Sequence, residues 1–181
     1  MSRGTFRGVP WWALMLAAVA IVVIPGGAAV VLVNMNEEQR RVRVAARNAA
    51  LAYGLKPEIL EAIGYVESRW RMSAVNKSGA DGARGGSWGP FQLSEQTARS
   101  YGYRDPMELL TTDADVAAAW AAKILAARPG GAPTTVEDAA AWWNAGRTSY
   151  AGLGPSHVTR TDYVPKALAA LEVVRGSPVV A

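Results

Sequence analysis

Residues 9–33 carry no charge at all, and this run divides the chain before any other feature is weighed. Roughly 20 apolar residues suffice to cross a hydrocarbon core as a helix. Trp11 and Trp12 stand at its start, where an interfacial indole keeps its N–H wet. The run predicts a transmembrane anchor over 9–33. The rival reading is a cleaved secretory signal peptide: Arg3 and Arg7, an apolar stretch from Ala13 to Ile24, then Pro25-Gly26-Gly27-Ala28-Ala29 as a break with small residues. Because the apolar run resumes through Val30-Val31-Leu32-Val33, a retained anchor is the preferred reading.

The chain has 181 residues, enough for one compact domain with appendages. Cysteine is absent, which removes disulfides, thiolate nucleophiles, cysteine-zinc sites and lipidation through cysteine. His157 is the single histidine, so a histidine metal site or a Ser-His-Asp triad lacks its parts. Its Gly/Pro/Ser surroundings suit a solvated surface side chain. No cofactor is expected. All 15 acidic residues and all but two of the 19 basic ones follow Val33, so that part is nearly neutral. No basic run long enough to track a phosphate backbone and no glycine-rich phosphate loop occurs, which argues against nucleic acid as a partner. A mildly basic surface would at most steer the protein toward an acidic polymer.

Beyond the anchor the pattern is helical, and the fold class is mainly α. Glu37 to Tyr53 has acids at its start and Val42, Ala45/Ala46, Ala49 and Leu51/Ala52 spaced for one apolar stripe, with Gly54 closing it. Residues 34–54 thus read as a linker helix packing on a domain over 55–175, between short tails at 1–8 and 176–181. Pro57 suits the first turn of a helix carrying Ile59, Leu60, Ile63 and Val66 and ending near Ser68-Arg69. Asp105-Pro106-Met107-Glu108 reads as a capping box; Thr112 with Asp115 opens a helix through Ala127, and Thr135 with Asp138 opens one that stops at Gly146. A last helix runs from about Asp162 to Val174. Between Ser78 and Gln92 five glycines mark either a surface loop or small hairpin, or a loop whose backbone approaches a ligand.

Four short motifs follow in order: Glu67-Ser68 at a helix end, Gly89-Pro90-Phe91-Gln92, Trp143-Asn144-Ala145-Gly146, and Tyr163-Val164 before the last helix. Together they resemble the family 1 soluble-lytic-transglycosylase (SLT) domain of the lysozyme-like group, over roughly Ala50 to Val174. Each motif alone is weak; the ordered set is specific. Two departures stand out. The family usually has Gly-Leu-Met-Gln where this chain has Gly89-Pro90-Phe91-Gln92, and a tyrosine where Trp143 stands.

The resemblance implies cleavage of the β-1,4 bond between N-acetylmuramic acid and N-acetylglucosamine in peptidoglycan. Such cleavage needs a proton on the leaving oxygen while positive charge develops on the sugar. A glutamate among Ile63, Val66 and tryptophans would lose hydration, which favours its protonated form. Glu67 is therefore the candidate acid, and the resemblance implies that it next acts as base, closing a 1,6-anhydro ring without water. By itself, Glu67 reads more readily as a surface acid paired with Arg71 one turn on, and the ordered motifs downstream reverse that preference.

The same weighing applies to its neighbours. Gln92 holds substrate, by the resemblance, or starts a helix before Ser94. Asn144 meets an acetamido group or caps the helix at Gly146. Tyr163 points its hydroxyl at the cleavage site, as the resemblance implies, or packs the last helix. Ser68 is a hydrogen-bonding neighbour or a helix terminator. Trp143, with Trp70, Trp88 and Trp142, stacks on sugars or fills the core. Asp81 lies in the glycine-rich loop, where goose-type lysozymes carry an aspartate. It is a second carboxylate for inverting hydrolysis or, as Asp81-Gly82, a turn.

Three functions follow: a membrane-anchored lytic transglycosylase, a goose-type-like hydrolase using Glu67 and Asp81, and an inactive peptidoglycan-binding module of an envelope-spanning secretion or phage machine. A wall substrate places the domain outside the cytoplasmic membrane, although Arg40, Arg41, Arg43 and Arg47 outnumber Arg3 and Arg7 in the positive-inside comparison.

Overall fold

The computed structural model describes residues 35–77 and 86–177 in full, and the backbone alone for 19–23 and 29–33. The chain divides into two units, 1–34 and 35–181. In the first, β1 (Val19–Val23) and β2 (Ala29–Val33) pair antiparallel, with Val19 opposite Val33 and Val23 opposite Ala29. This differs from the helix expected over 9–33. Both strands are rich in valine, whose branched Cβ suits extended backbone, and the sequence between them holds Pro25-Gly26-Gly27, the poorest helix formers. Among the described residues no helix is long and apolar enough to cross a membrane. Residues 9–18 and 24–28 of the expected anchor lie outside the described residues, as do the tail 1–8 and residues 178–181.

The second unit is mainly helical. It begins with α1 (Glu37–Ala52), capped by Asn36, whose Oδ1 accepts from the Gln39 amide at 2.9 Å while Gln39 Oε1 accepts from the Asn36 amide at 3.0 Å. A reciprocal cap of this kind stabilises a helix by about 1 kcal/mol. At the other end Gly54 adopts φ +70° and the Leu55 amide donates to Ala50 O at 2.8 Å, the left-handed C-terminal motif that Gly54 suggested. Val42, Ala45, Ala46 and Ala50 face the core, whereas Leu51 is 61% exposed, so the apolar stripe passes through Ala50 in place of Leu51. Arg43 is buried among them.

Next comes α2 (Pro57–Ser68), with Pro57 in its first turn and Ile59, Leu60, Ala62 and Ile63 inaccessible to solvent. Three two-residue strands follow: β3 (Val75–Asn76), β4 (Ser87–Trp88) and β5 (Leu93–Ser94). They form an antiparallel sheet in that order, Trp88 lying opposite both Val75 and Leu93. The hairpin expected between Ser78 and Gln92 is thus one part of a small sheet, and 78–85 lie outside the described residues.

The helices that complete the unit are α3 (Glu95–Ser100), a 3-10 turn (Met107–Thr111), α4 (Ala114–Ala126), α5 (Val136–Ala145) and α6 (Val164–Gly176). Thr135 caps α5 as expected, accepting from the Asp138 amide at 3.2 Å, and Gly146 ends it at φ +64°. Two expected caps move. Pro106 precedes the 3-10 turn with no side-chain bond, so the Asp105–Glu108 box does not form. Asp113, not Thr112, caps α4: Thr112 Oγ1 turns back to Glu108 O, and the Asp113 carboxylate reaches the Asp115 and Val116 amides at 3.0 Å. A π-helical turn (Thr159–Tyr163) takes residues expected at the start of α6.

Packing is close because α4 is alanine-rich. Ala117, Ala118, Ala121 and Ala122 are essentially inaccessible and let α1 approach along its length, while α2 packs on α1 and α6, and α6 on α5. Glu67 consequently emerges at the C-terminal end of a helix held on two sides.

Candidate active site

The Gly89–Gln92 turn docks on α2 through Gly64. A Cβ at Gly64 would stand 2.9 Å from Phe91 Cε1, and Phe91 is fully buried against this bare stretch of helix. Gly89, at φ +74°, has a second reason to be glycine: a Cβ there would meet Leu110 O at 2.1 Å. The close approach that glycine permits at this position is therefore to the 3-10 turn. Gln92 follows with φ +48°, uncommon for a side chain of its size, and its Nε2 donates to Gly89 O at 2.9 Å and Ala74 O at 3.2 Å. These bonds fix its amide at the wall of a cavity that Glu67 also lines.

Ser68 ties the same pieces together. It is buried, its Oγ donates to Pro90 O at 2.8 Å, and it accepts from the Arg71 amide at 3.0 Å. Its hydroxyl is bound to backbone behind the site.

Glu67 is half-buried in the last turn of α2 and faces a cavity of about 590 Å³. Gln92, Trp143 and Asn144 line the same cavity, as do Trp142 and Tyr101. Tyr163, at the end of the π-helical turn, donates its hydroxyl to Glu67 Oε1. Desolvation holds the phenol well above its ordinary pKa, reinforced by the charge of Glu67 and by the hydrogen bond to it. Tyr163 is therefore a neutral donor throughout the physiological range.

Of the residues singled out from sequence, Glu67, Gln92, Trp143 and Asn144 converge on one cavity and Tyr163 joins them through Glu67. Ser68 stands behind them. Asp81 lies outside the described residues. Trp70 is inaccessible, its Nε1 donating to Glu61 O at 2.8 Å, and so is core and not a sugar platform.

Sequence reading passed over Thr159. It is buried, and its Oγ1 donates to Asn144 Oδ1 at 2.6 Å, which fixes the amide of a residue that lines the cavity. The loop that carries Thr159 is ordered by His157, whose Nδ1 accepts from the Thr159 amide at 3.2 Å. No periodicity marks such a residue. Its only sequence signal is a hydroxyl four residues ahead of Tyr163. Asn76, Ser87 and Thr97 also line the cavity and were not anticipated. Among the described residues no group of three or more histidine, aspartate or glutamate side chains could hold a metal ion.

A helical domain that presents one carboxyl, with a phenol donor, at the wall of a cleft lined by amides, hydroxyls and indoles suits a ligand with both polar groups and apolar faces, such as a sugar. Residues 45–152 match the family described as "Transglycosylase SLT domain", more than half of the chain, and the protein belongs to that family. No curated protein and no solved structure matches the chain.

Proposed function

We propose that the protein is a peptidoglycan lytic transglycosylase with Glu67 as its sole acid and base. The observation that carries this reading is the Tyr163–Glu67 hydrogen bond at the wall of the cavity, within a chain of the SLT family. Tyr163 donates to Oε1 and orients the carboxyl, which carries the proton. Glu67 donates it to the glycosidic oxygen; the bond to C1 of N-acetylmuramic acid breaks, and N-acetylglucosamine leaves with a new hydroxyl. The Glu67 carboxylate is stabilised at that moment by the Tyr163 donor. It then takes the proton from the C6 hydroxyl of the same muramic acid, whose oxygen closes onto C1. Glu67 is protonated again, the product ends in a 1,6-anhydro ring, and no water is consumed.

Gln92 and Asn144 supply fixed amides around the sugar, Nδ2 of Asn144 suiting an acetamido carbonyl. Trp142 and Trp143 supply apolar faces for pyranose rings. Ser68 positions Glu67 through Pro90. The apolar composition of 9–33 supports tethering to the cytoplasmic membrane with residues 35–177 on its outer side. This placement suits wall turnover near the membrane and wall opening for an envelope-spanning machine.

Digestion of purified peptidoglycan by the wild type and by Glu67→Gln, with mass spectrometry of the muropeptide ends, tests the reading. Anhydro ends that vanish in the variant are expected. Reducing ends dependent on Asp81 would replace it with inverting hydrolysis, and binding without product would sink the enzymatic reading.

A further inference from the structure

We propose that Arg43 and Glu61 are positioning residues for Glu67, acting through Trp70 on the left-handed turn that ends α2. The inference rests on the reading of Glu67 as the acid. Arg43 is 1% and Glu61 0% exposed, and they meet between α1 and α2, with Nε at 3.0 Å and Nη2 at 2.6 Å from the same oxygen, Oε2. The remaining guanidinium donors bind carbonyls at the end of α6: Nη1 to Ser177 O at 2.6 Å and Nη2 to Val174 O at 3.3 Å. One side chain thereby fastens three helices. Arg43, Val174 and Ser177 all lie outside the matched residues 45–152, so the clamp draws in segments beyond the family match.

The connection to the site runs through Trp70. The Arg43 guanidinium carbon lies 4.6 Å from the centre of the indole ring, and the indole N–H donates to the Glu61 carbonyl at 2.8 Å. The Arg43 guanidinium thus covers the ring, while the backbone carbonyl of Glu61, whose side chain Arg43 holds, fixes its N–H edge. Trp70 is also the second of two consecutive non-glycine residues in left-handed backbone, Arg69 at φ +59° and Trp70 at φ +58°. Such a conformation is unfavourable for L side chains and persists only where the surroundings impose it. Glu67 stands two residues before that turn. Where Trp70 is held decides how the last turn of α2 ends, and so where the Glu67 carboxyl meets Tyr163.

Stability alone is a poor account of the pair, because well-packed apolar replacements of a buried ion pair are commonly neutral or stabilising. What apolar side chains do not reproduce is direction. A guanidinium fixes one carboxylate, two carbonyls and one ring face together.

The test is Arg43→Met/Glu61→Leu in the full chain, with three readouts: thermal unfolding, the separate kcat and KM for glycan cleavage, and the titration of Tyr163 followed by carbon-13 tyrosine NMR assigned with Tyr163→Phe. We expect a folded variant whose kcat falls about 10- to 100-fold, with KM within about twofold. The Tyr163 phenol should titrate closer to its ordinary value as Glu67 moves away. Wild-type kcat together with an unchanged Tyr163 titration in the folded variant overturns the proposal. If the double variant folds poorly, Trp70→Phe keeps the pair and the ring but loses the indole donor. It should lower kcat in the same direction, and wild-type values of kcat and of the titration there count against positioning. If the wild type cleaves nothing, the enzymatic reading fails separately, and the Tyr163 titration alone decides whether the pair sets Glu67.

Discussion

Glu61 and Glu67 sit six residues apart on one helix, and their surroundings could hardly differ more. Glu61 is inaccessible and bound by Arg43, with the Arg47 guanidinium at 3.4 Å from its other oxygen. Glu67 is half-buried, faces a cavity, and is met by a neutral phenol. A carboxylate bound by a buried guanidinium is fixed as one half of an ion pair. One held by a neutral donor can exchange its proton while keeping its orientation. The difference shows how a helix with two buried or partly buried acids separates structure from chemistry: the partner, more than the burial, assigns the role.

The sharpest way to break this comparison is to remove each charge in turn. Glu67→Gln should lower turnover by about 10²- to 10⁴-fold, the usual contribution of a positioned acid, while thermal unfolding stays within about 1 kcal/mol of the wild type. Glu61→Gln should do the opposite first. It leaves Arg43 buried without its counter-charge, which costs about 3–5 kcal/mol of folding free energy, read by urea unfolding. If Glu61→Gln is as stable as the wild type, the pair is not the clamp described, and the contrast between the two acids collapses.

Tyr163→Phe sharpens the other half. It keeps the ring and removes the donor to Glu67, a charge-assisted bond of about 1.5–3 kcal/mol. The expected result is a fall in kcat of roughly 10- to 100-fold, with KM little changed, since the phenol binds the acid and not the ground-state sugar. A change confined to KM would place Tyr163 among substrate contacts instead.

How much of this was readable beforehand divides along the same line. Features governed by near neighbours were legible: Pro57 at a helix start, Gly54 at a helix end, Thr135 as a cap. The cap at Asp113 was missed by one residue because Thr112 and Asp113 are both good caps, and only the turn geometry selects between them. Over 9–33 the apolar composition was plain, but composition does not separate a helix from paired strands when valine dominates and Pro-Gly-Gly intervenes.

Within the site, Glu67, Gln92, Trp143, Asn144 and Tyr163 were marked by the resemblance to a family and not by any periodicity. The Arg43–Glu61 pair was invisible, because Arg43 falls beside the apolar stripe of α1 and its partner sits on another helix. Nothing local in the sequence announces a contact that packing alone creates. Thr159 was hidden for the same reason, its role resting on Asn144 from an earlier helix.

The smallest expected effect concerns alkaline stability, and it isolates the phenol side of the comparison. Folding holds the Tyr163 phenol well above the ordinary tyrosine value of 10.0, chiefly by desolvation and then by the neighbouring Glu67 charge. Below pH 10 both folded and unfolded chains keep that proton, and its contribution to stability is fully present. As pH rises past 10 the unfolded chain releases the proton first, so the folded state binds more protons and stability falls with pH until the folded phenol itself ionises. Tyr103, also raised by desolvation and by Asp105, adds a slope of the same sign. Subtracting the unfolding curves of Tyr163→Phe from those of the wild type between pH 9 and 11 should therefore leave a difference that is flat up to about pH 10 and declines above it. Glu67→Gln should shrink that decline without abolishing it, because desolvation, the larger cause, remains when the charge is gone. A decline that disappears entirely in Glu67→Gln would mean that the carboxylate, and not burial, sets the phenol.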